Sequence, residues 1–345
     1  MSSVGEIVRI DPAAALPGGE VLLECRAYDT SNFNECQALF AEQRGQLVGV
    51  SPTRVLALVP EELETGGTVE VSLASGDGAR TAPVQLTVGE SLVTEIHNVA
   101  NPAFDPDDGA LWVTRSGARG HEELVSLYRV TPDGDIVDVG RGEIVNPTGL
   151  AFDQHGQLFV TSRNDGSVYR VTHFHEVVPF ARDLGIATGL AFDKDGLMYV
   201  GDRTGTIYRV NGIGEAHEWA HLEPSVAAYH LAFGPDGALY VTGPTVSSFD
   251  AVMRIDEQGD AEVFYRGLGR PGGLAFDTAG NLYVAASLRG RRGIVRINAD
   301  GRDAALVVAG MNAIGLAFSA DGNMAVVTND SAYKLPLGIR GTLLR

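Results

Sequence analysis

The chain has 345 residues, of which 44% are hydrophobic and 7% aromatic, and its formal net charge is −18. This composition is typical of a folded protein with one large core or two smaller ones, and it excludes disordered and collagen-like chains. The acidic balance excludes nucleic acid as a partner, because phosphates would be repelled. No stretch approaches the length that spans a bilayer, so we expect no membrane insertion.

The N-terminal residues lack the basic region and the apolar core of a secretory signal. We therefore expect a cytoplasmic protein as the chain is written, or an extracellular or periplasmic one if the chain was trimmed. The two cysteines, Cys25 and Cys36, both lie in the first ninety residues. They are either joined in one disulfide or present as two free buried thiols.

Residues 1–90 predict an immunoglobulin-like β-sandwich, because β-rich runs at 21–25, 54–59 and 68–73 are separated by Gly and Pro turns. The segment resembles the IPT/TIG family of immunoglobulin-like domains. The resemblance rests on Ile10-Asp11-Pro12, on residues 17–21, on Ser51-Pro52-Thr53, on Val59-Pro60 and on residues 67–71. It implies a rigid adhesive or spacer domain without catalytic residues. The short connection at residues 89–92 predicts that this domain packs against the next part of the chain.

Residues 91–345 contain an internal repeat. Gly-Leu-Ala-Phe stands at 149–152, 189–192, 273–276 and 315–318, with variants at 101–104 and 230–233, a spacing of about 42 residues. After each copy come a turn with glycine, an apolar strand, a polar hairpin, a third strand and a variable fourth strand. Four short strands in such a period are typical of propeller blades. The sequence therefore predicts an all-β protein with a C-terminal six-bladed β-propeller.

Three details of the repeat carry structural predictions. The Asp-x-x-Gly carboxylates are expected to form turns. The arginines that recur in the third strand are expected to form ion pairs or carbonyl bonds between blades. A ring also needs a strand from one end of the propeller to pair with the blade at the other end, because open edges invite aggregation. Residues 92–96 are expected to complete the sixth blade, with residues 341–344 as the alternative.

The blades resemble NHL repeats and the SMP-30/gluconolactonase and streptogramin-lyase propellers. For the lactonases the resemblance implies a divalent cation, commonly calcium, held on the axis by a glutamate and by Asn and Asp side chains. At the matching positions this chain has Ala100 or Asn101, Thr148 and Thr188. No cofactor is assigned from the residues, and Ca²⁺ or another divalent cation is the candidate.

Propeller ligands usually occupy one mouth of the central channel. That mouth is reached by residues just before each innermost strand and by the hairpins between second and third strands. We expect ligand contacts from Thr148, Thr188, Arg115, Arg163, Asp165, Arg203 and Arg289, and metal contacts from Asp202, Asn329 and Asp330. His230 replaces the glycine that four blades have at its position, and with Tyr229 it is the candidate catalytic group.

The chain has no nucleophile elbow, P-loop, zinc-protease helix or dinucleotide fingerprint. The first hypothesis is therefore a binding or scaffold protein whose propeller mouth recognises a peptide, glycan or small molecule. The alternative is a metal-dependent hydrolase or lyase of the SMP-30/gluconolactonase or streptogramin-lyase type.

Overall fold

The computed structural model describes residues 5–63, 65–76, 78–116, 123–246 and 250–342. Within them the chain is built of β-strands and one short 3₁₀ helix, Phe33–Glu35. Among these residues no helix is long and apolar enough to cross a membrane.

The first eight strands form two sheets that share one core. One sheet has the order β1-β3-β6-β5, and β4, β7, β8 and β2 extend the other. Their apolar side chains alternate inward, as strand geometry requires. The strands are β1 Glu6–Asp11, β2 Ala14–Ala15, β3 Glu20–Arg26, β4 Gln37–Phe40, β5 Gln43–Ser51, β6 Arg54–Leu58, β7 Thr65–Ala74 and β8 Val84–Val93.

Cys25 and Cys36 belong to the core of these two sheets. Both are buried free thiols. Burial raises the pKa of the Cys25 thiol to about 11, so it is un-ionised at neutral pH.

The rest of the described chain forms antiparallel sheets that follow the sequence repeat. Blade one holds β9 Ala103–Phe104, β10 Leu111–Thr114, β11 Leu127–Val130 and β12 Ile136–Val139; blade two holds β13 Pro147–Phe152, β14 Leu158–Ser162, β15 Ser167–Val171 and β16 Val177–Ala181; blade three holds β17 Ala187–Phe192, β18 Met198–Asp202, β19 Thr206–Val210 and β20 Ala216–His221. Blade four holds β21 His230–Phe233, β22 Leu239–Thr242, β23 Asp250–Ile255 and β24 Ala261–Gly269; blade five holds β25 Leu274–Phe276, β26 Leu282–Leu288, β27 Arg291–Ile297 and β28 Ala304–Ala309; blade six holds β29 Ala313–Phe318, β30 Met324–Thr328 and β31 Ala332–Leu335.

The six innermost strands contact one another in a closed circle, and β29 of blade six lies against β9 of blade one. The end of β8 supplies the fourth strand of blade six, with Lys334 opposite Glu90 and Ala332 opposite Val93. The closing strand thus precedes blade one, as predicted, but it pairs through residues 90–93 instead of 92–96. Gly341 and Thr342 bond instead to Asp277 and Phe276 of blade five, and residues 343–345 lie outside the described residues.

Aromatic contacts between blades explain the phenylalanine of the repeat. The second-strand aromatic of one blade meets the phenylalanine of the next blade's innermost strand at ring-centroid distances of 4.8 to 5.3 Å. The pairs are Phe159–Phe192, Tyr199–Phe233, Tyr240–Phe276 and Tyr283–Phe318. Tilted and edge-to-face pairs of this kind add to the burial of apolar surface. These four pairs therefore help to hold blades two to six against one another in series.

The N-terminal sheets are joined to the propeller by paired strands. Ala15 of β2 pairs with Val88 of β8 and with Ala309 of β28, so one sheet continues into blade five. Beside this junction the Arg291 guanidinium donates to the Asp11 carboxylate at 2.6 Å. Strand β8 runs through the boundary predicted at residue 90 and joins the two parts covalently.

Candidate functional site

The candidate site is a cavity of about 940 Å³ at one mouth of the propeller. It lies where the chain enters each innermost strand and where the second strand turns into the third. Four arginines line it, and we call it the arginine mouth: Arg163 on blade two, Arg203 on blade three, Arg270 at the entry to blade five and Arg292 on blade five. No Asp or Glu stands among the described residues of its lining.

None of these four guanidinium groups forms an ion pair with a described carboxylate. Partial desolvation, and then the charge of Arg203, lowers the pKa of Arg163. The two side chains therefore repel each other and form a local positive region on a protein of net charge −18. A cleft lined by one sign of charge concentrates counter-ions of the other sign.

His230 lies at the base of the arginine mouth. Its side chain also lines the cavity of about 1040 Å³ on the opposite side of the propeller. The residue is only 6% exposed, and its imidazole has no hydrogen-bond partner among the described residues. Burial lowers the pKa of His230 to about 4, so the ring is neutral at physiological pH. It offers one donor and one acceptor to a bound molecule.

The glycine position of the repeat lies where the innermost strands of neighbouring blades approach closely, and four blades have glycine there. Only Asn101 on blade one and His230 on blade four place a side chain there, three blades apart. Asn101 accepts from the Leu316 N–H at 3.1 Å and donates to the Leu274 carbonyl at 3.1 Å, which joins blade one to blades five and six. Of these two side chains, His230 is therefore the one whose polar atoms remain available.

Six of the predicted site residues line the arginine mouth: Thr148, Arg163, Thr188, Arg203, His230 and Asn329. The two threonines are buried and join neighbouring blades. Thr148 donates to the Ala187 carbonyl at 2.8 Å, and Thr188 donates to the Gly201 carbonyl at 2.8 Å while accepting from the Tyr229 N–H. The Asn329 side chain is exposed at the rim.

The other predicted ligand-binding residues and Tyr229 lie outside the described lining. The Tyr229 hydroxyl donates to the Glu223 carbonyl, and burial raises its pKa to about 12. Arg115 contacts Tyr128 and pairs with Glu123 at 3.5 Å. Arg289 is exposed at a hairpin tip. The Asp165 carboxylate accepts from the Ser167 N–H and the Tyr169 hydroxyl. Their functional roles remain predictions.

The residues of this mouth do not suit a hard cation. The Asp202 carboxylate already accepts bonds from Ile186, from the Thr204 N–H and from the Thr204 hydroxyl, and Asp330 accepts from Thr328. The described residues contain no group of three or more His, Cys, Asp and Glu side chains that could hold a metal. Calcium prefers several carboxylate and carbonyl oxygens around one point. The candidate divalent cation stays a prediction, and no step below depends on it.

Sequence analysis did not select Arg270 and Arg292 as site residues. Arg292 belongs to a hairpin already assigned to this mouth, so its location was foreseeable from the repeat. Arg270 stands in the connection ahead of the blade-five strand with a positive φ of 48°. A backbone conformation of this kind is uncommon outside glycine and is often associated with functional loops.

Comparison with known proteins finds related folds only. No protein-family model and no curated protein matches the chain. A gluconolactonase from Xanthomonas campestris is 17% identical over 87% of this chain and 97% of its own, with a TM-score of 0.59. An auxiliary nutrient binding protein from Bacteroides thetaiotaomicron is 12% identical over 96% and 98%, with a TM-score of 0.56. The virginiamycin B lyase from Staphylococcus aureus is 14% identical over 87% and 98%, with a TM-score of 0.52. The chain thus has the fold of these β-propellers.

Proposed function

We propose that the protein is a binding protein whose arginine mouth takes up a small anionic molecule, such as an acidic sugar. The observation that carries this proposal is the set of four arginines without a described carboxylate partner. Guanidinium groups present a planar fork of donors that matches carboxylate and phosphate oxygens. A negatively charged molecule would supply the counter-charge that the described lining lacks.

Two further features of the mouth support uptake of a small molecule. The volume of about 940 Å³ falls within the range of small-molecule sites. The neutral imidazole of His230 is buried at its base and can fix a ligand group by a hydrogen bond. The auxiliary nutrient binding protein among the similar structures shares the fold over nearly the whole of both chains, which is consistent with ligand binding by this architecture.

We also propose the finer division of the chain. Residues 1–90 would form an IPT/TIG-like immunoglobulin-like domain, and residues 91–345 an NHL/SMP-30-like propeller. The two N-terminal sheets around one core support the first assignment, and the four-stranded period supports the second. In this proposal the N-terminal domain is a spacer, and the ligand contacts come from the propeller.

A hydrolase or lyase is the second candidate. It is favoured by the neutral His230 at the base of the cavity and by the gluconolactonase and lyase among the similar structures. His230 would then accept a proton from the substrate or from water. The basic lining without a described carboxylate favours binding over a metal-dependent reaction.

Calorimetric titration with matched acidic and neutral sugars tests the proposal. We expect glucuronate and galacturonate to bind, glucose and galactose not to bind, and the affinity for the acids to fall as salt rises. Arg163→Gln should weaken acid binding by about tenfold, because a charge-assisted hydrogen bond is lost. The control Arg302→Gln changes an exposed arginine in a hairpin between third and fourth strands, outside the described lining, and should leave affinity unchanged.

Two outcomes of this titration would overturn the proposal. Neutral sugars that bind as well as the acids would show that charge is not recognised. Acid binding that is unaffected by Arg163→Gln would place the anion elsewhere. Consumption of glucono-δ-lactone, lost in His230→Gln, would favour the hydrolase instead.

A further inference from the structure

The four arginines occupy two separate sides of the mouth. Arg163 and Arg203 come from the adjacent blades two and three, and the effect of Arg203 on the pKa of Arg163 shows that the two charges interact. Arg270 and Arg292 belong to blade five and the connection that enters it. In a closed ring of six blades, blade five lies across the axis from blade two. Positive charge is therefore placed at two opposite sides of one cavity.

The rest of the described lining combines apolar residues with the uncharged polar residues Ser287, Asn312 and Asn329. Val99, Ile186, Val226, Pro271 and Ile314 line the cavity, and Val226 is 50% exposed. His230 lies at the base of the cavity, and the buried hydroxyls of Thr148 and Thr188 form bonds between blades with the Ala187 carbonyl and the Tyr229 N–H. The rest of the described lining is therefore uncharged, and positive charge is confined to the two sides of the mouth.

We infer that the ligand of the arginine mouth carries two anionic groups, one at each end. This inference rests on the proposed function, since it requires that the mouth bind an anion. One anionic group contacts Arg163 and Arg203, and the other contacts Arg270 and Arg292. Once one end is bound, the second binds at a high effective concentration, so affinity depends on the distance between the charges. Carboxylate and phosphate share the required chemistry.

Titration with a series of linear dicarboxylates, from succinate to dodecanedioate, tests this inference. Each diacid is compared with its own monomethyl ester, which keeps the length and removes one charge. We expect one preferred length to bind at least about tenfold more tightly than its ester. Fructose 1,6-bisphosphate against fructose 6-phosphate provides the phosphate arm, and the tighter arm identifies the anionic group.

Paired variants assign the two ends. Arg163→Gln with Arg203→Gln, or Arg270→Gln with Arg292→Gln, should each reduce the preferred diacid to the affinity of its ester. Arg302→Gln is the control, and unchanged melting temperatures show that the variants fold. If the diacids bind no better than their esters and fructose 1,6-bisphosphate binds no better than fructose 6-phosphate, the two-anion inference is overturned but the proposed function stands. If neither these anions nor the acidic sugars bind, the proposed function itself fails.

Discussion

His230 stands where four blades have glycine, and the pKa of its buried imidazole is about 4, below the ordinary value of 6.5. The folded protein therefore resists protonation of this ring, whereas the unfolded chain accepts a proton below pH 6.5. Stability from this group is fully present above pH 6.5 and is lost as the pH falls toward 4. Between pH 8 and pH 5 the expected loss is about 2 kcal/mol.

Urea unfolding of the wild type and of His230→Gln measures this loss. The wild type should lose about 2 kcal/mol more than the variant between pH 8 and pH 5, since glutamine does not titrate. Carboxylates that titrate in the same pH range contribute equally to the unfolding free energy of the wild type and of the variant. Their contribution therefore cancels when the two proteins are compared. The control His217→Gln removes an exposed histidine and should match the wild type at both pH values. Equal pH dependence in His230→Gln and wild type would contradict the buried, neutral state of this ring.

The residues of the site show what could and could not be read from the sequence. The repeat predicted the mouth and placed Thr148, Arg163, Thr188 and Arg203 at it. It predicted Tyr229 beside His230, but the Tyr229 hydroxyl donates to the Glu223 carbonyl and the residue lies outside the described lining. Arg270 was not predicted, because its approach to the mouth depends on an unusual backbone angle in a connection.

At the scale of the element, the innermost strands of neighbouring blades approach so closely that a side chain does not fit at the glycine position of most blades. A Cβ on Gly189 would lie 2.5 Å from the Tyr229 carbonyl oxygen and 3.0 Å from the His230 Cα. Because these atoms are backbone, the neighbouring strand itself would have to move. Gly189→Ala should therefore lower the free energy of unfolding by about 1 to 3 kcal/mol.

Gly212 provides the matched control for this substitution. A Cβ there meets no described heavy atom within 4 Å, and its φ lies outside the left-handed region. Gly212→Ala should leave stability unchanged within about 0.5 kcal/mol or raise it slightly. Denaturant midpoints of both variants measure the difference. Equal midpoints would show that the inner strands are less tightly packed than these distances indicate.

The third-strand arginines have partners that differ from those predicted. Their arginines were expected to bond between blades. Arg129 pairs with Asp108, and Arg254 pairs with Asp236 at 2.8 Å, and each of these carboxylates belongs to the turn of the same blade. Arg209 lies over the Tyr199 ring of its own blade as well as the Trp219 ring. The turn lies beside the third strand once the sheet forms, so a partner in the same blade is nearest.

At the scale of the whole molecule, the net charge is negative whereas the arginine mouth is positive. This difference could not be derived from composition. Net charge counts every residue equally, whereas the potential in a cleft depends on the few side chains that fold into it. The blades that supply the two pairs of arginines are separated in sequence by blade four, and the pairs converge only when the ring closes. The repeat gave the fold class and the blade count, and the charge of the mouth required the three-dimensional arrangement.

The connection between the N-terminal sheets and the propeller predicts that the described molecule unfolds as one unit. Strand β8 belongs to both parts, β2 pairs with β8 and with blade five, and Arg291 binds Asp11 at the junction. Separate unfolding would break these pairings and expose the shared core. We therefore expect one cooperative transition in urea, although two-domain chains often show two.

Native residues provide a separate probe for each part. Both tryptophans, Trp112 and Trp219, lie in the propeller, and both cysteines are buried in the N-terminal sheets. Tryptophan fluorescence and the reaction of the thiols with a disulfide reagent should give the same urea midpoint. Asp11→Ala should lower both midpoints together, whereas Arg80→Ala, which removes an exposed ion pair with Glu42, should change neither by a measurable amount. Thiols that become reactive well before the fluorescence changes would show that the N-terminal sheets unfold independently and that the paired strands do not couple the two parts.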